Sequence, residues 1–316
     1  MILPTFVDVI TAAERIAPHT HRTPVLTSRY LSEATGAEVY LKAENLQKVG
    51  AFKARGATNA VLSLSGEDAA KGVITHSSGN HGQAVAYACS IRDIPAVVVM
   101  PEHAPRVKVD AVRGYGGSVV FCPQPERAQT VARLTAEHGY TVVHPFDDPA
   151  VIAGQATATL EFVDEIPDID LVLAPIGGGG LLSGASIVAS EYDIDVVGAE
   201  PELVDDSFRS LRDNVRYPAT GAISVGDGLL TGIGEIPFAI LSAANRSIVT
   251  VTENEILEAM RTLAHRTKLV VEPSGATAVA ALLGRAPLFA GKRVGVILSG
   301  GNVSLDMFAA DQRLHD

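Results

Sequence analysis

The chain has 316 residues, enough for one large core or two smaller units, and a net charge of −11 without a basic run, which argues against nucleic acid or an anionic membrane surface as a partner. No apolar run is long enough to span a bilayer, and the start MILPTFVDVI lacks the basic and apolar regions of a signal peptide. The two cysteines, Cys89 and Cys122, belong to no CxxC pair, so neither a zinc cluster nor a disulfide framework is indicated and the expected location is the cytoplasm.

In chain order, residues 6–16 read as a helix ended by Pro18, and residues 22–26 as an extended linker. Residues 37–43 alternate like a strand, 47–50 form a turn, and 51–64 carry a helical pattern. Strands are expected at 72–76, 96–100, 118–121 and 141–143, with helices at 81–92, 105–115, 127–138 and 152–164 between and after them. The alternation resumes with strands at 170–174, 195–199, 247–251 and 293–298. Thr252 and Glu255 make a capping box, and Ile256, Met260 and Leu263 then line one helix face. Residues 206–235 read as an irregular excursion rich in Gly, Pro and Ser. Regular alternation with short connections predicts an α/β fold: two units of parallel sheet, helices on both faces, and a ligand cleft between them.

The segment 171–185, LVLAPIGGGGLLSGA, passes from a buried strand through Gly177, Gly178, Gly179 and Gly180 into a helix. Bare backbone N–H groups and a helix N-terminus there suit a phosphate, and the alternative is a plain turn. The run lacks the Lys-Ser/Thr ending of a nucleoside-triphosphate loop and the GxGxxG spacing of a dinucleotide fold, which points to a small phosphorylated cofactor. Lys53, in AFKARG, sits between Phe52 and Ala54, where burial would leave a neutral amine for Schiff-base formation; a snorkelling lysine reads equally well. Ser77, Ser78, Gly79, Asn80 and His81 follow a strand and open a helix, as a carboxylate site or as a simple N-cap cluster. His76 and His81 read as structural. Glu200, Asp205 and Asp206 form an acidic loop that is either solvated or a cation site, and Ser299 opens a glycine turn, LSGGN, after a strand.

Together AFKARG, SSGNHGQA at 77–84, GGGGLLSG at 177–184 and LSGGN at 298–302 resemble, in order and spacing, the fold-type-II pyridoxal-phosphate enzymes, with the serine racemase and serine/threonine dehydratase group the nearest branch. The resemblance covers nearly the whole chain. It implies a tryptophan synthase β-like fold, with a large cofactor-binding unit at 1–70 and 148–316 and a small unit at 71–147 carrying the substrate loop. It implies that Lys53 joins pyridoxal 5′-phosphate in a Schiff base and is then the catalytic base. Gly177 to Gly180 would hold the phosphate, Phe52 lie against the ring, Asn80 bond the 3′-oxygen, Ser299 face the ring nitrogen, and Gly228 and Glu272 lie beside the cofactor. Ser77, Gly79, Asn80 and His81 would bind the substrate carboxylate, and Ser78 would be the acid/base group on the face opposite Lys53. Glu200, the Val204 carbonyl and Asp206 match a divalent-cation site for Mg²⁺, Mn²⁺ or Ca²⁺.

The expected activity is elimination of water and ammonia from L-serine or L-threonine. The alternatives are serine racemisation with a dehydratase side activity, and dehydration of threo-3-hydroxyaspartate, for which Arg127 would meet a second carboxylate. The substrate is a small amino acid, and the resemblance implies a homodimer.

Overall fold

The computed structural model describes residues 1–77, 79–104 and 106–309. Its strands are β1 (Val25–Thr27), β2 (Glu38–Lys42), β3 (Val73–His76), β4 (Ala96–Pro101), β5 (Ser118–Cys122), β6 (Thr141–Val142), β7 (Leu171–Pro175), β8 (Asp195–Pro201), β9 (Ser247–Val251) and β10 (Arg293–Ile297). They form a six-stranded sheet in the order β1-β2-β10-β7-β8-β9 and a four-stranded sheet in the order β5-β4-β3-β6. Among the described residues β1 alone of the strands runs antiparallel, with Val25 opposite Lys42; the other strand pairings are parallel.

The burial pattern explains the parallel pairing. Every residue of β4, AVVVMP, and of β7, LVLAP, is buried. A strand apolar on both faces needs cover on both, and helical crossovers supply it. One core layer on the large sheet holds Leu173, Val294 and Val296 against Met260 and Val279; the other holds Val172 and Ile297 against Phe162 and Leu182. The small sheet is sandwiched likewise, with Val98 and Met100 on one side and Ile74 and Val99 on the other.

The helix Phe6–Ile16 keeps its predicted bounds, and the helix Glu253–Thr267 starts at the expected Thr252–Glu255 capping box over buried Ile256, Met260 and Leu263. Three segments differ from the sequence reading. The linker at 22–26 contributes to β1, an edge strand that needs only extended backbone. The helix at 152–164 starts earlier, at Pro149, because Asp148 accepts the N–H groups of Ala150 and Val151 and proline suits the first helical position. The segment 206–235 opens with a helix, Asp206–Asp213, whose first N–H groups are capped by Glu200 from β8; a cap from another strand leaves no local signal.

Candidate active site

The functional side chains gather where strands of both sheets end. β7 delivers the tetraglycine loop, β10 delivers Ser299, and β3 delivers Ser77, each at a C-terminal strand edge where parallel sheets place their ligands. A cleft of about 300 Å³ opens there. Phe52, Lys53, Ser77, Gly79, Asn80, His81, Gly177 to Gly180, Gly228, Glu272 and Ser299 all line it. Ser78 lies outside the described residues.

Gly177 to Gly180 are buried, and Gly179 has φ 90, a left-handed conformation that a side chain would strain. A Cβ on Gly177 would come 2.8 Å from Leu229 Cα, and one on Gly178 would run into the Phe146 ring. The loop is therefore packed, not a loose turn. Among the described residues none of its four N–H groups donates a hydrogen bond, and the helix Gly180–Glu191 begins without a side-chain cap. Buried N–H groups seldom stay unpaired, so this cradle fits an anion. Gly178→Ala is expected to weaken cofactor retention by about 1–3 kcal/mol, the usual cost of overpacking, read as cofactor lost on dialysis.

Lys53 starts the helix Lys53–Ser63. Its Nζ donates to the Pro145 carbonyl at 2.7 Å and lies 5.0 Å from the centre of the Phe52 ring. Burial pulls its pKa down to about 8, so an appreciable neutral fraction exists near neutral pH. The lysine is anchored from behind: the Phe52 N–H donates to the Ser299 carbonyl at 3.0 Å, and Ala51 pairs with Gly300.

Asn80 begins the helix Asn80–Arg92. Its Nδ2 donates to Glu272 Oε1 at 2.7 Å, and its Oδ1 accepts from Asn302 at 2.8 Å. Burial, with Asp227 nearby, pushes the Glu272 carboxyl up to about 7. Ser77 Oγ accepts the Gly79 N–H at 3.2 Å. His81 is buried, its Nε2 3.3 Å from the Val143 carbonyl, and burial followed by the Lys53 charge holds it neutral. Burial also lowers the pKa of His76, whose ring stacks edge-on to His144.

Several wall residues carried no clear sequence signal. Phe146 comes from the long stretch between β6 and the following helix, Ser274 Oγ accepts the Gly228 N–H at 2.9 Å, and Lys108 pairs with Asp227 across the mouth at 2.8 Å. The Lys108–Asp227 pairing spans 119 positions and nothing local announces it. Arg127 lines the same cleft, half-buried, at the start of the helix Arg127–His138.

Glu200, Val204 and Asp206 lie outside the cleft, at the end of β8. Glu200 accepts the N–H groups of Ser207 and Phe208 at 3.0 and 2.7 Å, and burial still pushes it up to about 8. Both Asp206 carboxylate oxygens are buried without a hydrogen-bond partner among the described residues, and burial raises that group to about 6. Ser207 ties this corner to the glycine loop by donating to the Gly177 carbonyl at 3.2 Å. No set of three His, Cys, Asp or Glu side chains among the described residues is grouped to hold a metal, and no helix is long and apolar enough to cross a membrane.

A glycine cradle that fits an anion and a desolvated lysine share one cleft at the strand ends of a two-sheet α/β protein, the arrangement that suits a phosphorylated aldehyde cofactor. The family model described as pyridoxal-phosphate dependent enzyme matches residues 16–300, and the chain belongs to that family, in its fold-type-II branch of lyases and racemases. The chain is 46% identical over 310 residues to the β-hydroxyaspartate dehydratase of Paracoccus denitrificans, covering 97% of this chain and 98% of that one. It is 43% identical over 314 residues to the L-threo-3-hydroxyaspartate ammonia-lyase of Saccharomyces cerevisiae, covering 98% and 96%. The crystal structure of serine racemase from Dictyostelium discoideum superposes with a TM-score of 0.91 at 44% identity, covering 96% of this chain and 99% of that one.

Proposed function

We propose that the chain is an ammonia-lyase whose preferred substrate is 3-hydroxyaspartate, in place of the serine or threonine expected first. Arg127 carries this reading. Its guanidinium is half-buried on the cleft wall, and among the described residues its side chain bonds only the Gln124 carbonyl, at 3.2 Å, with no carboxylate partner. It stands in the first turn of a helix, where the macrodipole disfavours a cation, and burial lowers its pKa. An unfavourably placed, unpaired cation facing a substrate cleft suits a ligand carboxylate. Lys108, the other cation at the mouth, is already neutralised by Asp227. The two hydroxyaspartate-acting relatives support the same substrate.

The residues then divide the work. The N–H groups of Gly177 to Gly180 would hold the cofactor phosphate, Phe52 would pack on the ring, Asn80 would donate to its 3′-oxygen, Ser299 would face its nitrogen, and Gly228 and Glu272 would close the side. The loop of the small unit, residues 71–147, holds the substrate α-carboxylate through Ser77, Gly79, Asn80 and His81. Bound pyridoxal phosphate supplies a sink for the electron pair left at Cα. The neutral Lys53 amine would take the Cα proton and return it to the departing β-hydroxyl, which leaves as water, and the released enamine would hydrolyse to a 2-oxo acid and ammonia. Arg127 holds the distal carboxylate. Arg127→Met is expected to raise KM for 3-hydroxyaspartate by about 10- to 100-fold, the range for a lost charge-assisted bond, and to change KM for L-serine little. An equal rise for both substrates would remove the assignment.

Glu200, the Val204 carbonyl and Asp206 would hold a divalent cation. The support is the buried, unpartnered Asp206 carboxylate beside a second buried carboxylate, with Arg209 engaged by Asp205 at 2.9 Å. There it would neutralise the pair and brace the corner that Ser207 joins to the glycine loop. Chelation is expected to lower the melting temperature, and Mg²⁺, Mn²⁺ or Ca²⁺ to restore it. In Asp206→Asn the chelator should do nothing.

A further inference from the structure

The segment after β10 holds more than Ser299. Asn302 is half-buried, and its side-chain amide spans two other elements. Its Nδ2 donates to the Val49 carbonyl at 2.7 Å and to Asn80 Oδ1 at 2.8 Å. An amide nitrogen carries two hydrogens, and both are used. Asn80 therefore turns its oxygen to Asn302 and its nitrogen the other way, where it meets Glu272 Oε1 at 2.7 Å. Asn302 itself has no freedom to flip, because the Val49 carbonyl can only accept.

The backbone that presents this carbonyl is unusual. Val49, a β-branched residue, has φ 55 and ψ 13, and Gly50 follows with φ 70. A β-branched side chain rarely adopts that region and keeps it only where its surroundings enforce it. Here the Gly301 N–H donates to the Gly50 carbonyl at 2.9 Å, and a side chain on Gly50 would meet Asn302 Oδ1 at 2.6 Å. The strained turn, the LSGGN segment and the start of the Lys53 helix are thus held as one unit.

We propose that Asn302 is a positioning residue that fixes the amide orientation of Asn80, so that Asn80 presents its Nδ2–H, and not its oxygen, to the cofactor side of the cleft. This rests on the placement of Asn80 beside the cofactor 3′-oxygen given above. The two ends of an asparagine amide are nearly equal in shape, so the surrounding hydrogen bonds decide which faces where. One orientation gives the 3′-oxygen a donor. The other sets acceptor against acceptor there, and also at Glu272 when its carboxyl is ionised. The sequence motif had singled out Ser299; Asn302 acts from the same turn through a second residue.

The test is a double-mutant cycle on the dissociation constant of pyridoxal phosphate, measured by absorbance titration of the cofactor-free enzyme. Asn302→Asp replaces the donor with acceptors, so Asn80 turns its nitrogen toward residue 302. Cofactor binding is expected to weaken about tenfold, the size of one lost hydrogen bond and its unsatisfied partner. In an Asn80→Ala background the same Asn302→Asp change is expected to do nothing further. Asn302→Ala, which removes the donor without adding a charge, completes a second cycle judged in the same way if the aspartate variant fails to fold. A loss that persists undiminished in the Asn80→Ala background, or no loss from Asn302→Asp, overturns the proposal alone. An Asn80→Ala variant that binds the cofactor as tightly as the parent overturns the placement of Asn80, and the proposal with it.

Discussion

Replacing Lys53 with alanine is expected to abolish turnover, by at least about 10⁴-fold, because the change removes the amine proposed both to anchor the cofactor and to accept the Cα proton. Alanine is a good helix former, so the helix Lys53–Ser63 should survive the change. The loss should appear as missing product and as a missing absorbance band of covalently held cofactor, with the unfolding transition little moved. The parent enzyme adds a pH signature. Burial sets the Lys53 amine at about 8, and only its neutral form accepts a proton, so the rate should rise with pH and level off above about 8. Lys53→Arg should be as dead as the alanine variant, since a guanidinium stays protonated throughout.

The largest stability effect is expected at Arg55, two residues further along the same helix. Its guanidinium is fully buried and bonds Glu44 through Nε and Nη2, both at 2.8 Å, and Glu161 through Nη1 at 2.7 Å. Lys42, also fully buried, meets Glu161 at 2.8 Å and the Thr23 carbonyl at 2.7 Å. Two cations and two carboxylates thus balance one another out of water. Arg55→Met strands Glu44 and half of Glu161 without a counter-charge, which costs about 3–5 kcal/mol. Denaturant unfolding of the cofactor-free chain should show that loss, and Arg55→Met/Glu44→Gln should recover part of it. Arg212→Met, which breaks an ion pair to Asp213 with both side chains substantially exposed, should change stability by less than about 0.5 kcal/mol.

The cluster at Arg55 also shows where the sequence is silent. Lys53, the tetraglycine loop, the 77–81 loop and Ser299 were legible because each needs a special residue locally: bare backbone or a hydroxyl at a strand end, or, for Lys53, a flanked amine at a helix start. The alternating strands and the capped helix at Thr252 were legible for the same local reason. The partners of Arg55 sit 11 and 106 positions away, and no periodicity links them. The helix Asp206–Asp213 was missed because its cap is a carboxylate from β8. Asn302 was visible as a letter in a motif, but its reach to Val49 and Asn80, 253 and 222 positions away, exists only in the fold. Ser78 stood out in the sequence and lies outside the described residues.

The choice of substrate is where the revised reading departs from the sequence reading. In the proposed mechanism the glycine cradle and Lys53 would serve any amino acid that the cofactor can hold, whereas the half-buried Arg127 on the cleft wall would favour a second carboxylate. The direct measurement is kcat/KM of the holoenzyme for threo-3-hydroxyaspartate, L-serine and L-threonine, following 2-oxo acid, ammonia and the chirality of residual substrate. The account predicts the highest value for 3-hydroxyaspartate, by about tenfold or more for one added charge-assisted contact, with stoichiometric 2-oxo acid and ammonia. A higher value for L-serine or L-threonine, or D-serine as the main product, would contradict it.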